Sequence, residues 1–263
     1  MNQNPEYIRI ILEVISELCP NKRRPKYSNE YYITNILSVL KDVNSWKSLK
    51  NLNLVGGRYH YKTIADKFLE WSRNGVFKEA HRRILLRGTF AQYNDASNIN
   101  LFIDSTHIDN KGGVELIDYA QNKKKKHTKN SVITNKNKQI IAVALFKNSV
   151  ADPMTIVLCT LNNLNGLRYN QINLMGDKGY VKDVTYKNNL LNTRRVKLIH
   201  YYRKNQRVQL NEEEKLQLKD RYKVEHSIQQ LKKYNRISLR KDKLKITYES
   251  FVYLALCILS YQL

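Results

Sequence analysis

The chain of 263 residues is long enough for one large domain or two modest ones, each with its own core. Lysine and arginine number 46 against 23 acidic residues, a net charge of +23 carried through stretches with folded periodicity, which favours a polyanionic partner such as nucleic acid. Three scattered cysteines (Cys19, Cys159, Cys257) exclude a disulfide framework, no run reaches the roughly 18 apolar residues of a membrane span, and MNQNPEYIRI has no signal-peptide pattern, so an intracellular protein is expected.

Residues 1–95 read as helical. PEYIRIILEVISELC carries Ile8, Ile11, Leu12, Ile15 and Leu18 at helical spacing. Pro20 and Pro25 bracket a basic connector, NKRR. SNEYYITNILSVLKDV then opens on Ser28 as a cap and sets Ile33, Ile36, Leu37 and Leu40 on one face. Beyond Gly56-Gly57, Ile64, Phe68 and Trp71 mark a further helix; Asn74-Gly75 breaks it, and another helix runs to about Gly88. Short helices with Arg73, Lys78, Arg82 and Arg83 nearby suit two structures, a helix-turn-helix that reads DNA or a bundle with a basic outer face.

From residue 96 the pattern changes. NINLFIDST reads as a short buried strand ending in polar residues, and SVITN with QIIAVALF, parted by Lys136-Asn137-Lys138, as a hairpin. Asp152-Pro153 starts a helix with Asp152 as its cap, QINLMGD is a strand, VKDVTYKNNLL a helix and RRVKLIHYY a strand. One long helix is expected from about Asn211 to Tyr234, and ITYESFVYLALCILSYQ closes the chain as an amphipathic helix. The order indicates a mixed α/β layer fold.

Two acids end strand-like runs, Asp104 in LFIDST and Asp177 in LMGDKGY. Catalytic and ligand groups of open α/β sheets gather outside strand ends, and Gly176 and Gly179 would let a backbone or a phosphate come close to Asp177. Glu225 lies in DRYKVEHSIQQLKK, where Val224, Ile228 and Leu231 form an apolar seam and Arg221, Glu225, Gln229 and Lys232 share the adjacent face. By itself that face is an ion-paired solvent stripe. Together, the three acids offer the oxygens that hard divalent cations take, and two such ions about 4 Å apart serve in-line attack on a phosphodiester. Lys232 is then suited to hold a DNA phosphate.

These residues resemble the DDE transposases of bacterial-type insertion sequences, whose catalytic domain is RNase H-like. In that family one acid follows the first strand, a second sits in a D-x-G-Y-like turn, and a glutamate lies in a helix signature of Tyr, two residues, Arg, three residues, Glu, six residues, Lys. Asp104, Asp177 and Glu225 match the acids, Arg221 and Lys232 match the basic positions and are by that resemblance expected to bind DNA, and Leu218 stands where the family has tyrosine. The similarity covers about residues 96–263, including NRISLRKDKLKITYESFVYLALCIL, and extends more loosely to WSRNGVFKEAHRRIL. It implies an RNase H-like mixed sheet flanked by helices over 96–263, preceded by a helical DNA-binding region over 1–95. It also implies two Mg²⁺ or Mn²⁺ ions held by Asp104, Asp177 and Glu225. Water would cut DNA at the element end, and the freed 3′-hydroxyl would join target DNA within a homodimer or larger synaptic assembly. The spacing of the three acids leaves no room for a large inserted domain.

Lys123, Lys124, Lys125 and Lys126 in KKKKHTK are expected at the DNA backbone. Arg203 and Lys204 in HYYRKNQR suit phosphate binding or base stacking, or simply a strand end and its loop. His107 and His226 are expected to be structural, since magnesium is not a histidine metal. Asp109, Asp118 and Asp152 are less favoured acids, and Ser105 and Thr106 lack a Ser-His-Asp arrangement. Two other readings fit the same residues: a non-catalytic DNA-binding protein derived from a transposase, and another RNase H-like nuclease that cuts without joining.

Overall fold

The computed structural model describes residues 5–20, 27–41, 45–51, 61–120, 125–147, 149, 152–164, 166–180, 184–202 and 209–262. The connector NKRR, Gly56-Gly57, Lys123, Lys124, Arg203 and Lys204 lie outside them. Packing divides the chain into two compact units that do not follow its linear halves. One gathers Met1–Ile84, Ile108–Ile117 and Leu231–Gln262; the other gathers Leu85–His107 and Asp118–Gln230. The closing helix thus packs with the N-terminal helices.

The first unit is mainly helical. Helix α1 (Glu6–Leu18) buries Tyr7, Ile10, Ile11, Val14 and Ile15, a stripe turned from the expected one, and leaves Leu18 exposed. The period is as anticipated and the phase is not, because apolar residues occupy more than one face of this segment. Helix α2 (Asn29–Lys41) buries the expected Ile33, Ile36, Leu37 and Leu40, and the Ser28 hydroxyl accepts from Tyr31 N at 3.2 Å. Helix α3 (Tyr61–Arg73) buries Ile64, Phe68 and Trp71, and Gly75, at φ +68°, turns the chain into α4 (Val76–Arg87). Arg82 is tied to Glu79, and Arg83 to both Glu79 and Glu17, so these two cations are spent on ion pairs within the helices.

A short helix α9 (Asn235–Ser238) precedes α10 (Lys245–Gln262). The expectation of an amphipathic closing helix fails: from Ser250 to Ile258 every residue of α10 is buried, because α1, α3 and α9 all pack on it. Phe251 stacks on Phe68 with ring centroids 4.3 Å apart. Beneath them, Arg236 and Asp242 form an ion pair with both side chains 5% exposed.

The second unit carries most of a mixed sheet. Its strands run in the order β2 (Asp118–Ala120), β3 (Lys125–Thr134), β1 (Asn98–Asn110), β5 (Gln171–Gly176) and β6 (Val196–His200), with β4 (Ile140–Lys147) also paired to β3 and β7 (Leu239–Arg240) to the end of β1. Pairing is parallel between β1 and β5 and between β5 and β6, and antiparallel in the β3–β4 hairpin. Helix α5 (Pro153–Leu161) packs on β3 and β4, and α6 (Val184–Arg194) on β6. Asp152 caps α5 as expected, accepting from Thr155 N at 2.9 Å. The mixed sheet flanked by helices anticipated from the sequence is the architecture formed.

Three expectations change. Strand β1 does not stop at Asp104 but continues to Asn110, where Asp109 and Asn110 pair with β7. The first hairpin strand begins well before SVITN: Lys125 and Lys126 are already in β3, paired with Ala120 and Tyr119 of β2. The single helix over 211–234 is two, α7 (Glu212–Lys219) and α8 (Tyr222–Lys232). Buried Leu218 and Val224 are six residues apart, a spacing that places them on different faces of one continuous helix. A turn at Asp220–Arg221 resets the phase, and Asp220 secures it by accepting from Lys223 Nζ at 2.7 Å.

Candidate active site

The sheet builds the site by register. Leu101 pairs with Leu174 and Phe102 with Met175; Asp104 lies two residues beyond Phe102 in β1, and Asp177, just past the end of β5, lies two beyond Met175, near enough for its charge to act on Asp104. Alternation then selects the face. Leu101, Ile103, Ile172 and Leu174 enter the core beneath α5 and α6, which leaves Asp104 and Asp177 on the opposite face. Helices α7 and α8 cover that face: Lys197 of β6 pairs with Glu214 of α7 at 2.9 Å, and Lys223 of α8 lies over the Phe102 ring.

Helix α8 brings the third acid. Arg221, in the turn before it, lies between two carboxylates. One guanidinium nitrogen is 3.5 Å from Asp104 Oδ2, and another makes a short contact with Glu225 Oε1. Asp104 is the most enclosed of these groups, at 21% side-chain exposure against 47% for Glu225. Burial raises the Asp104 carboxyl above the ordinary carboxylate range. The hydrogen bond from Ser105 N (2.7 Å) and the Arg221 charge oppose that rise, while the charges of Asp177 and Glu225 add to it. All three sequence-predicted acids therefore act on one locus.

The turn after β5 is fastened from within. Asp177 Oδ1 accepts from Gly179 N at 2.8 Å, and Tyr180 folds back so that its hydroxyl meets Ser105 Oγ at 3.1 Å. A Cβ on Gly176 would stand 2.8 Å from the Tyr180 ring, and one on Gly179 would stand 2.9 Å from Asp177 Oδ1. The space beside these glycines is thus filled by the protein's own groups, not left open for a phosphate. Burial pushes the Tyr180 phenol well above its usual range, and the nearby Asp104 and Asp177 charges reinforce the shift.

Ser105 and His200 carry no motif of their own, whereas Tyr180 is the tyrosine of the D-x-G-Y-like turn. His200 ends β6 opposite Gly176, fully buried, and its imidazole is held below the ordinary histidine pKa by burial and by the Lys187 charge. Lys187 donates to Tyr202 at 3.0 Å and lies over its ring. The signal for His200 was the apolar run VKLIH pairing in register with QINLMG.

Of the remaining candidates, Lys125 and Lys126 are exposed on β3, and Lys232 closes α8. Leu218, at the family's tyrosine position, is buried. His107 and His127 pack edge to face with centroids 6.0 Å apart, and His226 meets Gln230 at 3.3 Å. Asp118 fastens the start of β2, accepting from Tyr119 N and Ser149 N.

The donor set, carboxylate oxygens from three elements, is that of a hard divalent cation. Among the described residues, however, no three His, Cys, Asp or Glu side chains are gathered in a way that holds a metal ion, and Arg221 lies between two of the acids instead.

No protein-family model matches the chain, and no curated protein does. Among solved structures it is similar to a piggyBac transposase synaptic complex with hairpin DNA, at 16% identity and a TM-score of 0.41, over 78% of this chain and 50% of that one. It is also similar to the Mos1 strand transfer complex, at 12% identity and a TM-score of 0.28, over 80% of this chain and 78% of that one. The chain spans about half the length of the piggyBac protein it matches. Among the described residues, no helix is long and apolar enough to cross a membrane.

Proposed function

We propose that the chain is a metal-dependent DNA transposase of the insertion-sequence type, cutting element ends and joining the 3′-hydroxyl to target DNA. The observation that carries this reading is the convergence of three remote acids: Asp104 and Asp177 through strand register, and Glu225 through the Arg221 bridge. Asp104, Asp177 and Glu225 would hold two Mg²⁺ or Mn²⁺ ions, which when bound would activate the attacking oxygen and stabilise the leaving one. Lys125, Lys126 and Lys232 would hold DNA phosphates, and Tyr180 and Ser105 would keep the Asp177 turn in place. The net charge of +23 suits double-stranded DNA as substrate, and pairing of two element ends implies a dimer or larger assembly.

The test is Mn²⁺-dependent cleavage and joining of DNA carrying the sequences that flank the gene. Alanine at Asp104, Asp177 or Glu225 abolishes strand cleavage and leaves DNA binding in place; retained cleavage removes the assigned roles. The Arg221 bridge also favours a second reading, a DNA-binding protein derived from a transposase and without catalysis. Metal-dependent cleavage by the unaltered protein excludes it. Cleavage without joining would instead identify an RNase H-like nuclease.

A further inference from the structure

We infer that Arg221 is the built-in cation of this site: without metal its guanidinium bridges Asp104 and Glu225, and a divalent ion must displace it to reach them. The inference rests on the metal-binding reading above and adds to it a device that keeps the free protein's metal affinity low.

Three observations support it. Both Asp104 oxygens already face protein donors, Oδ1 receiving Ser105 N and Oδ2 lying 3.5 Å from Arg221. Glu225 is held by the same guanidinium, and the Asp177 charge acts on Asp104 as well, so the cluster needs a positive charge to stay together. Finally, Arg221 sits in the turn between α7 and α8 and not inside a helix. A guanidinium is a planar fork that binds carboxylate and phosphate with similar geometry. A DNA phosphate is therefore the natural group to draw Arg221 away, freeing the two carboxylates for metal. Linkage then requires each ligand to strengthen the other: DNA raises metal affinity, and metal raises DNA affinity by the same factor.

The experiment measures Mn²⁺ binding to the full chain without DNA, by the electron paramagnetic resonance signal of free Mn²⁺. Arg221→Gln should bind Mn²⁺ about tenfold more tightly than the unaltered protein, the scale of releasing a charged hydrogen-bonded competitor. Arg221→Lys, which keeps the charge and loses the fork, should fall between them and keeps the test alive if the glutamine variant folds poorly. Lys219→Gln removes one exposed charge at the end of α7, outside the bridge, and should change affinity less than about twofold. Equal or weaker binding by Arg221→Gln, with binding by the unaltered protein intact, overturns the inference and leaves the metal site standing. A Lys219→Gln effect as large as that of Arg221→Gln also overturns it, since general charge would then explain the gain. Failure of the unaltered and Arg221→Gln proteins alike to bind Mn²⁺ overturns the metal site itself, and the inference with it.

Discussion

Replacing Gly176 by alanine tests whether the turn carrying Asp177 is held by the Tyr180 ring. Gly176 is paired with His200 and does not have a positive φ, so its backbone accepts a side chain. In open space the change would stabilise the fold by about 0.4–1 kcal/mol, through lost freedom of the unfolded chain. Here the added Cβ stands 2.8, 3.0 and 3.2 Å from three atoms of Tyr180, which is buried and hydrogen-bonded to Ser105 and cannot swing aside freely. Overpacking of this kind costs about 1–3 kcal/mol, so Gly176→Ala should destabilise on balance. Tyr180→Ala alone should cost about 3–5 kcal/mol, as for other large buried aromatic truncations. In that background the clash is gone and Gly176→Ala should turn stabilising. Urea denaturation followed by far-ultraviolet circular dichroism gives all four corners of the cycle. If Gly176→Ala shifts stability in the same direction with and without the tyrosine ring, the ring is not what occupies the space, and the account of the Asp177 turn is wrong.

Three further outcomes are expected. Asp242→Ala leaves the Arg236 guanidinium buried without its carboxylate and should cost about 3–5 kcal/mol in denaturant unfolding, whereas loss below about 1 kcal/mol would show that the pair is solvated. Burial raises the Asp104 carboxyl in the folded state. Ionisation is therefore not penalised below the unfolded pKa; the penalty grows as pH rises from there and is complete once pH has passed the folded value. Relative to the unaltered protein, Asp104→Asn should gain thermal stability as pH rises above about 4, the ordinary carboxylate value, and a relative loss on that rise would contradict the burial argument. Changing Lys125 and Lys126 to glutamine should weaken DNA binding and lower the salt slope by about 0.9 for each phosphate contact removed; an unchanged slope takes them out of the interface.

The acids were legible because each sits where a local pattern ends or repeats, and that pattern survives folding. Asp177 follows the apolar run of β5, and Glu225 flanks the Val224–Ile228–Leu231 seam, whose three residues are all buried. The extension of β1 was not legible. STHIDN reads as a polar loop, and what makes Asp109 and Asn110 strand is pairing with Leu239 and Arg240, a partner far away in the chain. The break before α8 was legible in principle from the phase of Leu218 against Val224, but the favourable helix composition of the whole segment hid it. Tyr180 was visible as the last residue of the D-x-G-Y-like turn, but its packing was not, since that follows from the absent side chain of Gly176 and from a hydroxyl on another strand.

The two halves of the acidic cluster are held by different means. Asp104 lies in β1 and Asp177 directly follows β5, its parallel neighbour, so shifting one strand against the other would break the ladder that ends at Phe102 and Met175. Glu225 stands on a helix, half exposed, and is tied to Asp104 by an arginine side chain in a turn. Side-chain rotation at Arg221 is far easier than a slip of strand register, which would carry every core side chain to the wrong face. Any rearrangement that turns the cluster into a metal shell therefore falls on Arg221 and Glu225, with the aspartates as the fixed reference. That division of roles follows from the elements carrying each acid, and under the proposed metal reading it makes Arg221 the residue at which the site would open.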